Sequence, residues 1–119
     1  MNLITDIKNI LVKHKDKEHH LQIVVDDLEI KVYLIYDPEL EYQEDTIIPV
    51  VYDFTTGIVH ISDSEYREKF KPGDYGMDLH EISIIKDIME YLKKNNEELR
   101  KMVKGFNYEY RFKGGEEDD

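Results

Sequence analysis

The sequence predicts an α+β domain. An antiparallel sheet of four to five strands, made of two β-hairpins and a C-terminal aromatic strand, packs on an N-terminal helix and a long C-terminal helix. Three observations predict it. Apolar residues recur at helical spacing near the start of the chain and again from Leu79 to Leu92. Between them, Leu21 to Tyr36 alternates apolar and polar residues about a tight turn. Near the end, Phe106, Tyr108, Tyr110 and Phe112 alternate with Asn107, Glu109, Arg111 and Lys113. A period near 3.6 marks a helix face and a period of two marks a strand. Strands joined by tight turns are antiparallel, and helices then cover one face of the sheet.

The first helix runs from about Leu3 to Lys15. Leu3, Ile7, Ile10 and Leu11 fall on one face, and Asn2 is placed to cap the first turn. From His14 to His20 the chain is too polar to extend that stripe.

The first hairpin comes next. A two-residue turn at Asp26-Asp27 pairs Val25 with Leu28, Ile23 with Ile30 and Leu21 with Val32, and puts all six on one face. Asp37 to Thr46 reads as an acidic loop. The second hairpin joins Ile47–Phe54 to Ile58–Ser62 through Thr55-Thr56-Gly57, where Gly57 is placed to take positive φ. Pro49 donates no ladder hydrogen bond, so that strand is expected at an edge or interrupted there.

Ser62-Asp63-Ser64-Glu65 has the spacing of a capping box and predicts a short helical turn to about Phe70. Lys71 to Gly76 is a loop. Asp78 and Glu81 cap the long helix, whose stripe is Leu79, Ile82, Ile85, Met89 and Leu92, widened by Ile84, Ile88 and Tyr91. Asn95-Asn96 breaks or kinks it, and Gly105 is a C-terminal cap. Residues 1–113 form a single domain, and 114–119 a flexible acidic tail.

Composition constrains function more than any motif does. The 119 residues hold 27 acids against 16 Lys plus Arg, a formal charge of −11, with no Cys. Removing the tail's four acids leaves −7, so the charge is expected to belong to the folded body as well. Such a chain repels phosphate backbones and anionic membranes and is drawn to basic protein surfaces. The absence of Cys excludes a disulfide scaffold, a Cys-ligated zinc site and a thiol nucleophile. The N-terminus lacks the pattern of a signal peptide, and no stretch is apolar enough for a membrane span, so the expected location is cytoplasmic.

The titratable residues form no motif. His19 and His20 are adjacent, and in a strand their side chains diverge to opposite faces. His14 and His19 do not share a helical face, His80-Glu81 has no second His four residues on, and His60 stands in a strand with no ligand at metal spacing. The histidines are read as solvated or hydrogen-bonded, with no metal or other cofactor. The acidic loop lacks the glycine of a calcium hand, since Tyr42 stands in its place. No nucleophile elbow and no phosphate-cradling loop is present, and the chain is read as a non-enzyme.

The expected function is therefore that of a small acidic binding protein which occludes a basic surface on a protein partner. The contact residues expected are Glu39, Glu41, Tyr42, Glu44 and Asp45 in the acidic loop, with Asp63, Glu65, Tyr66, Asp74 and Tyr75 beyond the second hairpin. Tyrosine suits such a surface, because it offers large amphipathic area at low entropic cost. If the partner's surface normally holds nucleic acid, the chain is a nucleic-acid mimic; direct binding of nucleic acid is not expected. In size and charge it resembles small phage or mobile-element inhibitors of host nucleases, a likeness of composition that carries no motif. Two alternatives stand beside this. One is an oligomer-forming domain in which the aromatic strand pairs between chains. The other is a small enzyme with carboxylates around a divalent ion.

Overall fold

A computed structural model describes residues 2–36, 46–62, 79–101 and 108–113. The order of elements is α1 (Leu3–Lys13), β1 (His19–Val25), β2 (Glu29–Tyr36), β3 (Thr46–Asp53), β4 (Val59–Ile61), α2 (Leu79–Lys94), α3 (Asn96–Arg100) and β5 (Tyr108–Lys113). The strands form one antiparallel sheet in the order β4-β3-β2-β1-β5. The α+β class is as expected. No helix among the described residues is long and apolar enough to cross a membrane.

Period-two alternation builds the core. Leu21, Ile23 and Val25 of β1, Ile30, Val32 and Leu34 of β2, and Ile48, Val50 and Tyr52 of β3 are all buried on one face. Leu3, Ile7 and Leu11 of α1 and Ile84, Ile85, Ile88 and Leu92 of α2 complete the same cluster. Each such side chain contributes roughly 1.5–3 kcal/mol by leaving water. Asn2 caps α1, its Oδ1 accepting the Thr5 N–H at 3.0 Å. On the edge strand β5, Phe112 is buried in the core, with Lys8 Nζ 4.9 Å from its ring centroid.

The first hairpin corrects one expectation. The register pairs Val25 with Ile30, Ile23 with Val32 and Leu21 with Leu34, so the turn is Asp27-Leu28 rather than Asp26-Asp27. Asp26 causes this. Its Oδ1 accepts the N–H groups of Leu28 and Glu29, both at 2.8 Å, and its own N–H reaches the Glu29 carbonyl at 3.1 Å. The side chain thus closes the loop one residue later. Moving a turn by one residue shifts the pairing by two, which leaves every face unchanged. Only Leu28 leaves the core, and it is 66% exposed at the tip.

Pro49 also sits elsewhere than expected, since β3 is paired on both sides. Its carbonyl accepts the Ser62 N–H at 3.0 Å, so its peptide faces β4, and β4 ends at Ile61. The missing donor falls where the neighbouring strand stops, which removes the ladder cost.

The turn of the second hairpin docks on α3. Tyr52 Oη donates to Asn96 Oδ1 at 2.5 Å, and Arg100 donates to the Thr55 carbonyl at 3.2 Å. Gly57 has φ +72°, and a Cβ there would lie 2.7 Å from the same Asn96 Oδ1. Gly57→Ala is therefore expected to destabilise by roughly 1–2 kcal/mol or more, because it combines left-handed strain with displacement of a bonded amide. Urea unfolding of the variant measures it, and a loss below about 0.5 kcal/mol would contradict the geometry.

The long helix is rolled relative to the expected stripe. Its buried residues are Glu81, Ile84, Ile85, Ile88 and Leu92, while Leu79 is 85% exposed and Ile82 45% exposed. Ile82, with Ile61, Ile85 and Met89, lines a shallow apolar groove between α2 and β4. The break expected at Asn95-Asn96 is present, α2 ending at Lys94 and α3 starting at Asn96. The expected short helix after Ser62, the Asp78 cap and the Gly105 cap lie outside the described residues.

Candidate functional site

The end of α1 sets up the site. His14 closes the helix, Lys15 takes φ 55°, and the N–H groups of Lys15 and Asp16 return to the carbonyls of Val12 (2.9 Å) and Leu11 (3.5 Å). This is the paired closure of a helix that ends in a left-handed residue, here a lysine in the place glycine usually takes. It turns the chain sharply, so that Asp16 is buried instead of continuing outward.

Asp16 then organises the entry to β1. Its Oδ1 accepts the backbone N–H groups of Glu18 at 3.0 Å and His19 at 2.7 Å. Its Oδ2 lies 2.7 Å from His19 Nδ1 and 2.7 Å from His80 Nε2. His19 is the first inward-facing residue of β1, in the same row as Leu21, Ile23 and Val25, and is 2% exposed. Its other nitrogen, Nε2, lies 2.9 Å from Glu81 Oε2, on the buried face of α2. Beside this, His14 Nε2 meets Asp87 Oδ2 at 2.7 Å, and the His14 ring stands edge-on to His80 with centroids 6.2 Å apart.

The electrostatics follow from the contacts. Both His19 nitrogens face carboxylate oxygens, so both carry protons and the ring is an imidazolium. Burial opposes that charge, but hydrogen bonds to Asp16 and Glu81, and their charges, outweigh it and hold His19 at about 9. Burial likewise opposes ionised Asp16, and the hydrogen bonds from His19 and His80 outweigh it, keeping its carboxyl well below the usual carboxylate range. The result is a buried carboxylate–imidazolium–carboxylate row, with the half-exposed His80 completing the Asp16 shell from solvent. No buried side-chain polar atom among the described residues lacks a partner. Asp16 Oδ2, His19 Nδ1 and His80 Nε2 also form a set of cation-ligating atoms that lie within 4.8 Å of one another.

By sequence these histidines read as separate groups, and the structure brings three of the five together. His60 lies apart, exposed on β4. Two signals point to the cluster. Extending the β1 alternation back from Leu21 puts His19 on the inner row. Stepping back from Ile84, Ile85 and Ile88 by three, four and seven residues puts Glu81 on the buried face of α2. A stripe sought only among apolar residues passes over both.

The expected contact residues Glu39, Glu41, Tyr42, Glu44 and Asp45, and Asp63, Glu65, Tyr66, Asp74 and Tyr75, all lie outside the described residues. The points where their segments join the fold are described. His19, Tyr36 and Thr46 form one row across β1, β2 and β3, and Lys113 of β5 pairs with the neighbouring His20. β4 runs toward this same end, and α2 starts there, with His80 against Asp16. Segments 37–45, 63–78 and 114–119 therefore all attach at the His19 end of the sheet. The charge count makes this pertinent. The described residues hold thirteen acids against twelve Lys plus Arg. Almost all the net charge thus resides between and beyond the described elements.

No protein-family model, no curated protein and no solved structure matches this chain.

Proposed function

We propose that this chain is a small acidic binding protein that occludes a basic surface on another protein, as a mimic of nucleic acid. The observation that carries the reading is the one-ended attachment of its charge. Segment 37–45 has five carboxylates and no Lys or Arg, and the 114–119 tail adds four more. Both join the sheet in the His19–Tyr36–Thr46 row or beside it. A chain whose excess charge is rooted at one pole steers a basic partner to that pole, and the effect weakens with salt. Tyr42, Tyr66 and Tyr75 lie within the attached segments and supply amphipathic contact area.

The test is a pull-down from the native host at low and high salt, followed by competition with duplex DNA. A basic nucleic-acid-binding protein is expected, released by salt and by DNA. Replacing Glu39, Glu41, Glu44 and Asp45 together by Gln is expected to lower its affinity at least tenfold. Exposed charges rarely change stability by more than about 0.5 kcal/mol, so the melting temperature should hardly move. Unchanged capture by the fourfold variant would reject this pole as the contact site.

A further inference from the structure

We propose that Asp16, His19 and His80 form a binding site for one divalent first-row transition ion of the zinc type. Three observations support it, and none depends on the partner-binding reading.

The first is convergence. One carboxylate oxygen and two ring nitrogens, from two places in the chain more than sixty residues apart, come together, Asp16 Oδ2 lying 2.7 Å from each nitrogen and all three atoms within 4.8 Å of one another. In a four-coordinate zinc site, bonds of about 2.0–2.1 Å put neighbouring donors roughly 3.3 Å apart. To admit an ion on that geometry, each nitrogen must stand about 0.6 Å farther from Asp16 Oδ2, and the two nitrogens, which with it lie within 4.8 Å of one another, must come to the same spacing. His80 is free to supply that movement, because it stands in the first turn of α2 with a side chain 44% exposed. The same exposure provides an entry path and leaves one coordination position toward solvent.

The second is the outer shell. A histidine that binds metal through one nitrogen commonly donates its other N–H to a carboxylate, which fixes the ring. Glu81, itself buried, does this for His19 through Nε2 at 2.9 Å. The non-ligating oxygen of Asp16 is held by two backbone N–H groups. Both buried ligands are thus oriented from behind, and a buried glutamate on an otherwise apolar helix face has a reason to be there.

The third is charge. Asp16, Glu81 and Asp87 bring three carboxylates to the cluster, and the strongly acidic 37–45 segment and 114–119 tail attach at the same end of the sheet. A cation is drawn there and an anion is not. Two imidazoles with one carboxylate favour a zinc-type ion over Mg²⁺ or Ca²⁺, which take oxygen ligands. On binding, His19 releases its Nδ1 proton and keeps the Nε2 proton on Glu81. His80 presents the Nε2 lone pair and carries its ring proton on Nδ1. The ion takes the place the two protons held between the rings and Asp16.

The experiment is calorimetric titration of the chelator-treated full chain with Zn²⁺, with Co²⁺ absorption as a second readout. One ion per chain is expected, with a rise in melting temperature and no competition from Mg²⁺ or Ca²⁺. His80→Ala, a change at a half-exposed position that should leave the metal-free fold intact by circular dichroism, is expected to lower affinity at least 100-fold. Glu81→Gln is expected to lower it about 10–100-fold, as loss of a positioning carboxylate does. His60→Ala, on exposed β4, should bind as the parent does. Zn²⁺ binding that His80→Ala leaves intact, or that His60→Ala abolishes, overturns the proposal, as does no binding at one ion per chain.

Discussion

Asp16→Ala is expected to cost 3–5 kcal/mol of stability, against less than about 1 kcal/mol for Asp87→Ala. Both residues bond a histidine at 2.7 Å, so that distance alone would rank them alike. Burial separates them. The Asp87 side chain is 35% exposed and its partner His14 also meets water. Asp16 is almost completely enclosed, and its loss strands the His19 imidazolium, the His80 ring and two backbone N–H groups at once. Chemical denaturation of both variants, in the presence of a chelator so that only protons fill the cluster, measures the difference. Equal losses would show that Asp16 does not anchor the cluster.

The same cluster gives stability a pH dependence with a definite sign. His19 is held up at about 9, well above the ordinary value for histidine. Its contribution is therefore complete below about pH 6.5 and is lost as pH rises through 9. The shift corresponds to roughly 3 kcal/mol between those limits. Asp16 is displaced in the opposite direction, so its contribution is present above about pH 4 and fails only in stronger acid. Glu81, His80, His14 and Asp87 also face the cluster. Unfolding free energies at pH 5.5, 7.5 and 9.5 should fall in that order, and the fall should shrink in Asp16→Ala. A flat alkaline limb in the parent protein would mean that His19 does not fold as the cation.

What the sequence revealed and what it hid divide along a physical line. Local rules placed the elements: the Asn2 cap, the alternation of β1 and β2, positive φ at Gly57 and the break at Asn95-Asn96 each depend on residues a few positions apart. The cluster depends on contacts between residues more than sixty positions apart, such as His19 with Glu81 and Asp16 with His80. It also needs Lys15 in the left-handed conformation, for which lysine gives no hint. The roll of α2 is hidden for the same reason. An acid is assigned to solvent unless its partner is known, and the partner of Glu81 lies on β1. The proposed contact residues rest on charge alone, and they lie outside the described residues. The fold adds to them the location of their attachments at one end of the sheet.

Ile30→Ala is expected to destabilise by roughly 2–5 kcal/mol, and Leu28→Ala by less than about 0.5 kcal/mol. The two leucine-sized residues are two positions apart on one strand and its turn, with the same parity, and alternation alone assigns both to the core. The turn chemistry of Asp26 decides otherwise. By accepting two N–H groups it fixes the loop at Asp27-Leu28, so Ile30 pairs with Val25 and is completely buried while Leu28 stays at the tip. Truncating Ile30 leaves a cavity bounded by β1, β3 and the helices, and a core packed this closely fills it only in part. Truncating Leu28 removes surface that already meets water, and the Phe54 N–H bond to the Leu28 carbonyl is a backbone contact that survives. Asp26→Ala then tests the cause rather than the consequence. Without its acceptor the turn loses two hydrogen bonds at about 1 kcal/mol each, and the hairpin is free to sample the register centred on Asp26-Asp27. That register differs by two residues and keeps every side chain on its face, so both pairings point the same rows at the core. Relaxation-dispersion broadening confined to β1 and β2 in Asp26→Ala is the expected signature; a rigid, singly registered hairpin in that variant would show that packing of Ile30 alone sets the pairing.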